Sequence, residues 1–307
     1  MSHRRRLRVV KDASTSAPPA PSKPLARAGE ETGPGPPHGR SLAAAVRTAV
    51  ALASVALIVS VAGRTAFFVL ACVVVLTSLF ELFDALVQSG RRPSMPFGLA
   101  CGLGMMLAPW FHRPALVAVV IAATVSGSFL LALRPGRGER PASDAAWTVL
   151  GVAWIGGGGA AATSILILED GLLIVIAFVA AIAGGDIGAY FAGTRFGAHK
   201  MAPSVSPGKS WEGYAGGLAC ALAGGAALGA FMTPLSIVEG AGLGAICGLF
   251  GPAGDVIESL VKREIGIKDS GRLLPGHGGF LDRTDAMIFC APLVLAYAYL
   301  ITGSSPQ

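Results

Sequence analysis

Residues 259–285 read SLVKREIGIKDSGRLLPGHGGFLDRTD, a polar stretch set between two strongly apolar ones. It holds five basic residues (Lys262, Arg263, Lys268, Arg272 and Arg283), one histidine and four acids in twenty-seven positions. Just upstream stand Asp255 and Glu258. A helix continuing through them puts Asp255, Glu258, Ser259 and Lys262 on one face, at the i, i+3, i+4 and i+7 spacing. Farther on, Pro275 and the run Gly276-His277-Gly278-Gly279 cannot continue a helix, because proline lacks the N–H and glycine has excess backbone freedom. The chain there is a loop that exposes backbone amides and returns Asp282-Arg283-Thr284-Asp285 to the next apolar run. Carboxylates for a divalent cation, cations for phosphates and glycines for close backbone approach are the parts that phosphate-transfer chemistry uses.

The surroundings of this island set the fold class. The 307 residues are 53% hydrophobic and only 14% charged, with mean hydropathy +0.63, which is too apolar for a soluble protein. The composition predicts an all-α, polytopic integral membrane protein. Nine apolar runs of the length that crosses a hydrocarbon core of about 30 Å as helix lie near 42–62, 65–87, 95–111, 114–133, 145–164, 171–192, 213–232, 235–256 and 284–303. Residues 1–40, rich in Pro, Ser, Gly and Ala, bury too little to fold and form a disordered basic tail; residues 41–307 form the transmembrane domain. The tail carries eight Lys/Arg against Asp12, Glu30 and Glu31, so the net charge of +6 belongs mostly to it. Without that tail the bases and acids nearly balance, and the pI gives no support to nucleic-acid binding. Cys72, Cys101, Cys220, Cys247 and Cys290 all fall in apolar runs without CxxC spacing and read as small core hydrophobes.

Charge also orients the chain. With the N-terminus inside, the inner segments hold twenty-one Lys/Arg and the outer ones only Arg64 and Arg113. The positive-inside rule therefore places the N-terminus and both polar loops in the cytoplasm of a cell-membrane protein. Glu81, Asp84, Asp186 and Asp255 then all sit toward the cytoplasmic leaflet. A charge at helix centre costs about 2.5–3.5 kcal/mol on insertion scales, so such acids face a cavity or a partner, unless headgroup water reaches them. The second polar island, 193–212, contains Ser206-Pro207-Gly208-Lys209-Ser210, a non-helical run with amides, hydroxyls and one ammonium. Trp211 suits an interface anchor as well as a stacking partner. Pro252 interrupts the hydrogen-bond ladder of its span just before Asp255. His3, His38, His112 and His199 read as tail or interface residues, whereas His277 stands among glycines in the polar loop.

The spacing of Ser259, Lys262-Arg263, Lys268-Asp269, His277-Gly278-Gly279 and Asp282-Arg283-Thr284-Asp285 resembles the signature of the phosphatidate cytidylyltransferases, also called CDP-diacylglycerol synthases. The resemblance extends upstream through Ala202 to Gly213 and back to Asp186, roughly the C-terminal half. It departs from the family at Gly208, where a second basic residue is common, leaving Lys209 to carry that contact alone. The resemblance implies a magnesium-dependent nucleotidyltransferase that makes CDP-diacylglycerol and pyrophosphate from CTP and phosphatidate, for phospholipid biosynthesis. On that reading Asp255 and Asp282 are the leading Mg²⁺ ligands, supported by Glu258, Asp285 and Asp186, with a second metal ion left open. Lys209, Lys262, Arg263, Lys268 and Arg283 bind phosphates. His277 joins the catalytic group, and Ser206, Ser259, Asp269, Gly278 and Gly279 the substrate contacts. Homodimer formation is left open.

Two other functions fit part of this pattern. A CTP-dependent lipid kinase uses the same phosphate-handling residues on a membrane acceptor. A transporter would explain many spans with intramembrane acids. The clustering of charge at one leaflet, rather than at the midplane, favours a lipid headgroup meeting a soluble nucleotide.

Overall fold

Within lipid a backbone has no water to pair with, so each apolar run must satisfy its own amides and carbonyls, and the helix is the way one segment does this. A computed structural model describes residues 54–55, 57–135, 139–203, 206–231, 234–267, 270–271 and 279–303. Among these are eight helices: α1 (Arg64–Gln88), α2 (Met95–Trp110), α3 (Leu116–Ala132), α4 (Pro141–Leu166), α5 (Gly171–Phe196), α6 (Trp211–Phe231), α7 (Ile237–Glu264) and α8 (Leu281–Thr302). Six are long and apolar enough to cross a membrane; α2 and α3, with 16 and 17 residues, are shorter apolar helices. The eight match the last eight expected runs. Of the first, 42–62, only its end is described, and there it is largely helical. The 1–40 tail lies outside the described residues.

Two helices extend well past their apolar runs. α5 continues to Phe196 and α7 to Glu264, because a helix that leaves the hydrocarbon keeps its hydrogen bonds while its side chains turn polar. Asp186 is therefore ten residues short of its helix end, about 15 Å along the axis at 1.5 Å per residue. α7 begins with a capping box, in which Ser236 Oγ accepts from the Glu239 amide and the Glu239 carboxylate accepts from that of Ser236. It then runs unbroken past Pro252. α4 contains a π-helical turn at Val152–Gly156.

The core runs through the N-terminal helices and α8. Leu79, Phe83 and Leu86 of α1, Met105 and Met106 of α2, Val152 and Ile155 of α4 and Ile174 of α5 are fully buried. Opposite this core the helices turn leucine, valine and phenylalanine outward, as on α3 at Leu116, Val119 and Leu130, which suits a hydrocarbon solvent.

α5, α6 and α7 pack closely in sequence order, and α8 packs on α7 and α4. The α6–α7 contact is made of glycine. A Cβ on Gly225 would fall on the Gly240 carbonyl, and one on Gly240 on the Gly225 carbonyl, so the two backbones touch directly. Between α5 and α6 the chain forms the described residues' only strands, β1 (Lys200–Ala202) and β2 (Ser206–Ser210), an antiparallel pair in which Lys200 faces Ser210. The all-α reading holds with this one small hairpin added. Three segments thus meet at one end of the α5–α7 layer: the hairpin, the second half of α7 and the start of α8.

Candidate functional site

The hairpin ends where α6 begins, and the junction is fixed by side chains on both sides. Ser210, buried, accepts from the Gly213 amide at 3.2 Å and so caps α6. Glu212 in the first turn of α6 reaches back to His199, with Oε1 2.6 Å from Nδ1. His199 is thus an anchor of the hairpin. Being in β2, residues 206–210 form an extended strand, whose next-to-last side chain, Lys209, points across to α7. Its Nζ donates to Asp255 Oδ2 at 2.6 Å and to the Pro252 carbonyl at 3.0 Å. The proline thus marks the place where the ammonium meets the helix.

Around this pair lies a cleft of about 190 Å³, lined by Asp186, Tyr190, Gly208, Lys209, Tyr214 and Asp255 among others. Pockets for whole drug-sized ligands start at about 300 Å³, so this volume suits one or two phosphate groups rather than a nucleotide. Asp186, exposed on α5, feels the charges of Asp255, Lys209 and Arg283. Asp285 is buried on α8 and feels the charges of Asp255 and Glu258. Two facing carboxylates repel unless a proton or a cation lies between them.

One turn beyond Asp255 the same face of α7 carries a second cluster. Lys262 Nζ lies 2.9 Å from Glu258 Oε2 and 2.6 Å from Asp282 Oδ1. Ser270 Oγ lies 2.7 Å from both Glu258 Oε1 and Asp282 Oδ1, and Asp282 Oδ2 accepts from the Gly279 amide at 2.7 Å. Glu258 is 3% exposed. Every oxygen of these two carboxylates has a partner, so the cluster is a closed ion-pair network tying α7 to the start of α8. An ion seeking Asp282 would first have to displace Lys262 or Ser270.

The sequence-selected residues thus divide. Asp186, Lys209 and Asp255 line the cleft, and Asp285 is buried on α8 nearby; Glu258, Lys262, Asp282 and Gly279 form the adjoining network. Arg263 and Arg283 are exposed on the last turn of α7 and the first turn of α8. Ser259 is half-buried on α7, and Ser206 opens β2. Lys268, Asp269, His277 and Gly278 lie outside the described residues, as does Arg272. Among the described residues, no group of three or more His, Cys, Asp or Glu side chains is arranged to hold a metal ion. The Asp255–Asp285 pair still suits Mg²⁺, which binds through one or two protein carboxylates and completes its shell with water and substrate phosphates.

Two participants escape a reading of motifs. Ser270 sits between lysine and aspartate positions that draw attention first, and nothing in its local sequence shows that it bridges two acids. Glu81, on α1, has a visible signal, an acid seven residues inside an apolar helix. Headgroup water does not account for it: the residue is 2% exposed, and Oε2 accepts from the Leu281 amide at 3.0 Å.

The model of the cytidylyltransferase family matches residues 43–301. A phosphatidate cytidylyltransferase of Mycobacterium bovis is 32% identical over 267 residues, which cover 81% of this chain and 86% of that protein. One from Staphylococcus aureus is 32% identical over 252 residues, covering 80% and 95%. An uncharacterized Escherichia coli protein, YnbB, is 44% identical over 123 residues, 40% of this chain and 41% of that protein.

Proposed function

The chain belongs to the cytidylyltransferase family, and we propose that it transfers CMP from CTP to phosphatidate, giving CDP-diacylglycerol and pyrophosphate. The observation that carries this reading is the joining of hairpin, α7 and α8 into one polar site at the end of a membrane-embedded helix layer. There a lipid headgroup and a soluble nucleotide can meet. A phosphatidate oxygen forms the new bond to the α-phosphorus of CTP, and the bridging bond to the β-phosphate breaks, so pyrophosphate leaves with that electron pair. The attacking oxygen is already ionised near neutral pH, so no strong base is required. The obstacle is the meeting of two polyanions.

Lys209 answers that obstacle directly. Its ammonium is held at the rim of the cleft by Asp255 and the Pro252 carbonyl, so it is oriented before a phosphate arrives. Arg283 and Arg263, exposed beside the site, add positive field. Asp255 and Asp285 would hold Mg²⁺, with Asp186 alongside; bound there, the ion supplies charge neutralisation for the phosphates. Glu258, Lys262, Ser270 and Asp282 fix the spacing of α7 and α8, and so the separation of Asp255 and Asp285. Lys268, Asp269, His277, Gly278 and Gly279 complete the substrate-binding loop on this reading. The charge asymmetry along the chain supports a site on the cytoplasmic side of the cell membrane, where CTP is available.

The fate of label from CTP tests the reaction. Purified protein in detergent with phosphatidate and Mg²⁺ should carry label from α-³²P-CTP into the organic phase and leave that from γ-³²P-CTP in pyrophosphate. Lipid-extractable γ-label would establish a kinase. Transfer of neither label by folded protein would return transport to consideration.

A further inference from the structure

Glu81 belongs to α1, two hundred residues before its partner, Leu281. It is a buried carboxylate inside a membrane helix, where an acid without a purpose is costly. Leu281 is the first residue of α8 and is 1% exposed, and the residue before it, Phe280, offers no side-chain cap. Its amide is one of the orphan donors that every helix start exposes, and burial denies it water. Glu81 Oε2 takes this amide at 3.0 Å, with the Phe280 amide beside it. The carboxyl also sits at the positive end of the α8 dipole. One turn earlier on α1, Ser78 Oγ lies 3.2 Å from Thr284 Oγ1, so the two helices share a polar seam rather than a single contact.

The glycines of the loop fit this carboxylate. A Cβ on Gly271 would fall on Glu81 Oε1, and a Cβ on Gly279 on Oε2. Both backbones therefore pack directly on the acid, and any side chain at either position would push it away. Next to Gly271 stands Ser270, which bonds Asp282, while Gly279 donates to the same Asp282. Glu81 is thus the floor against which the two ends of the polar loop and the first turn of α8 are set.

We infer that Glu81 is a positioning residue of the cytidylyl-transfer site: it caps α8 from another helix and, through that turn, holds Asp282, Arg283 and Asp285 in register with α7. This rests on the function proposed above. Glu81 touches no reacting group. Its loss therefore acts on turnover more than on substrate affinity.

The test uses the full chain in detergent, with two readouts. Glu81→Gln keeps a carbonyl acceptor for the Leu281 amide, and should hold kcat within about threefold. Glu81→Leu removes the acceptor, and a displacement of about 1 Å in the site should lower kcat about a hundredfold with the KM for CTP nearly unchanged. Independently of activity, hydrogen exchange in peptides spanning 279–286 should speed up about tenfold in Glu81→Leu, as for a lost cap, and stay near wild type in Glu81→Gln, with α6 peptides unaltered in both. If Glu81→Leu does not purify folded, Gly271→Ala, which displaces the same carboxylate, decides on the same readouts. Unchanged exchange at 279–286, or a loss in Glu81→Gln equal to that in Glu81→Leu, would overturn the inference. Should wild-type protein transfer no CMP, the functional reading fails, while the exchange comparison still decides whether Glu81 holds α8.

Discussion

Lys209 Nζ stands 2.6 Å from Asp255 Oδ2, joining a strand of the hairpin to the second half of α7, forty-six residues later. The pair is half-buried at the mouth of the cleft, where each partner has a second use. On the proposed function, Lys209 would turn to a phosphate and Asp255 to a metal ion shared with Asp285. An ion pair that opens when substrate arrives gives the two residues separable kinetic signatures.

Lys209→Ala removes a charged donor for substrate phosphate, so the KM for CTP or phosphatidate should rise about tenfold or more. Asp255→Asn keeps the shape and loses the charge, and should lower kcat by about a hundredfold or more. Steady-state kinetics on purified variants separate these. Unchanged KM values in Lys209→Ala would remove that residue from the site.

The metal dependence proposed for Asp255 and Asp285 has a direct test. Chelation by EDTA should abolish CMP transfer and added Mg²⁺ restore it. Asp285→Asn should raise the Mg²⁺ concentration for half-maximal rate about tenfold or more. Full activity in EDTA-treated protein would mean that Asp255 and Asp285 share a proton rather than an ion.

Lys262 supplies the positive charge with which two largely buried acids pair. Lys262→Met leaves Glu258 and Asp282 buried without their cation, which should destabilise the protein by about 3–5 kcal/mol. Adding Glu258→Gln and Asp282→Asn to it should recover much of that loss. Unfolding in detergent, followed by circular dichroism, gives the comparison. Equal stability of wild type and Lys262→Met would show that the network contributes nothing to the fold.

Orientation is checked with single cysteines in a cysteine-free background. Pro207 and Glu264 are exposed on the hairpin and at the end of α7, and Arg113 is exposed between α2 and α3. In intact cells an impermeant thiol reagent should label Arg113→Cys and spare Pro207→Cys and Glu264→Cys until the membrane is opened. The reverse pattern would invert the topology.

Hydropathy made eight helices legible because burial in lipid selects long apolar runs whatever their detailed sequence. Their ends were less legible: nothing apolar marks where α5 stops at Phe196 or α7 at Glu264, since hydrogen bonding rather than hydropathy decides it. The π-turn of α4 left no trace in its glycine-rich sequence. At the site, the i, i+3, i+4, i+7 pattern on α7 correctly put Asp255, Glu258 and Lys262 on one face, because a helix fixes side-chain direction from spacing alone. The partners of that face are another matter. That Lys209 meets Asp255, that Ser270 bridges Glu258 and Asp282, and that Glu81 meets Leu281 are facts of tertiary packing between segments far apart in sequence.

The glycine contact of α6 with α7 bears on how this molecule can change over time. At Gly225 and Gly240 two main chains lie against each other with no side chains between them that a new methyl could push aside. Replacement there has no local remedy and displaces a whole helix, and Asp255 travels with α7. The outward residues of α3 answer only to a fluid solvent that accepts any hydrocarbon shape. Drift in this chain should therefore be lopsided: free on its lipid-facing flank, and nearly frozen along a seam that carries no chemistry of its own.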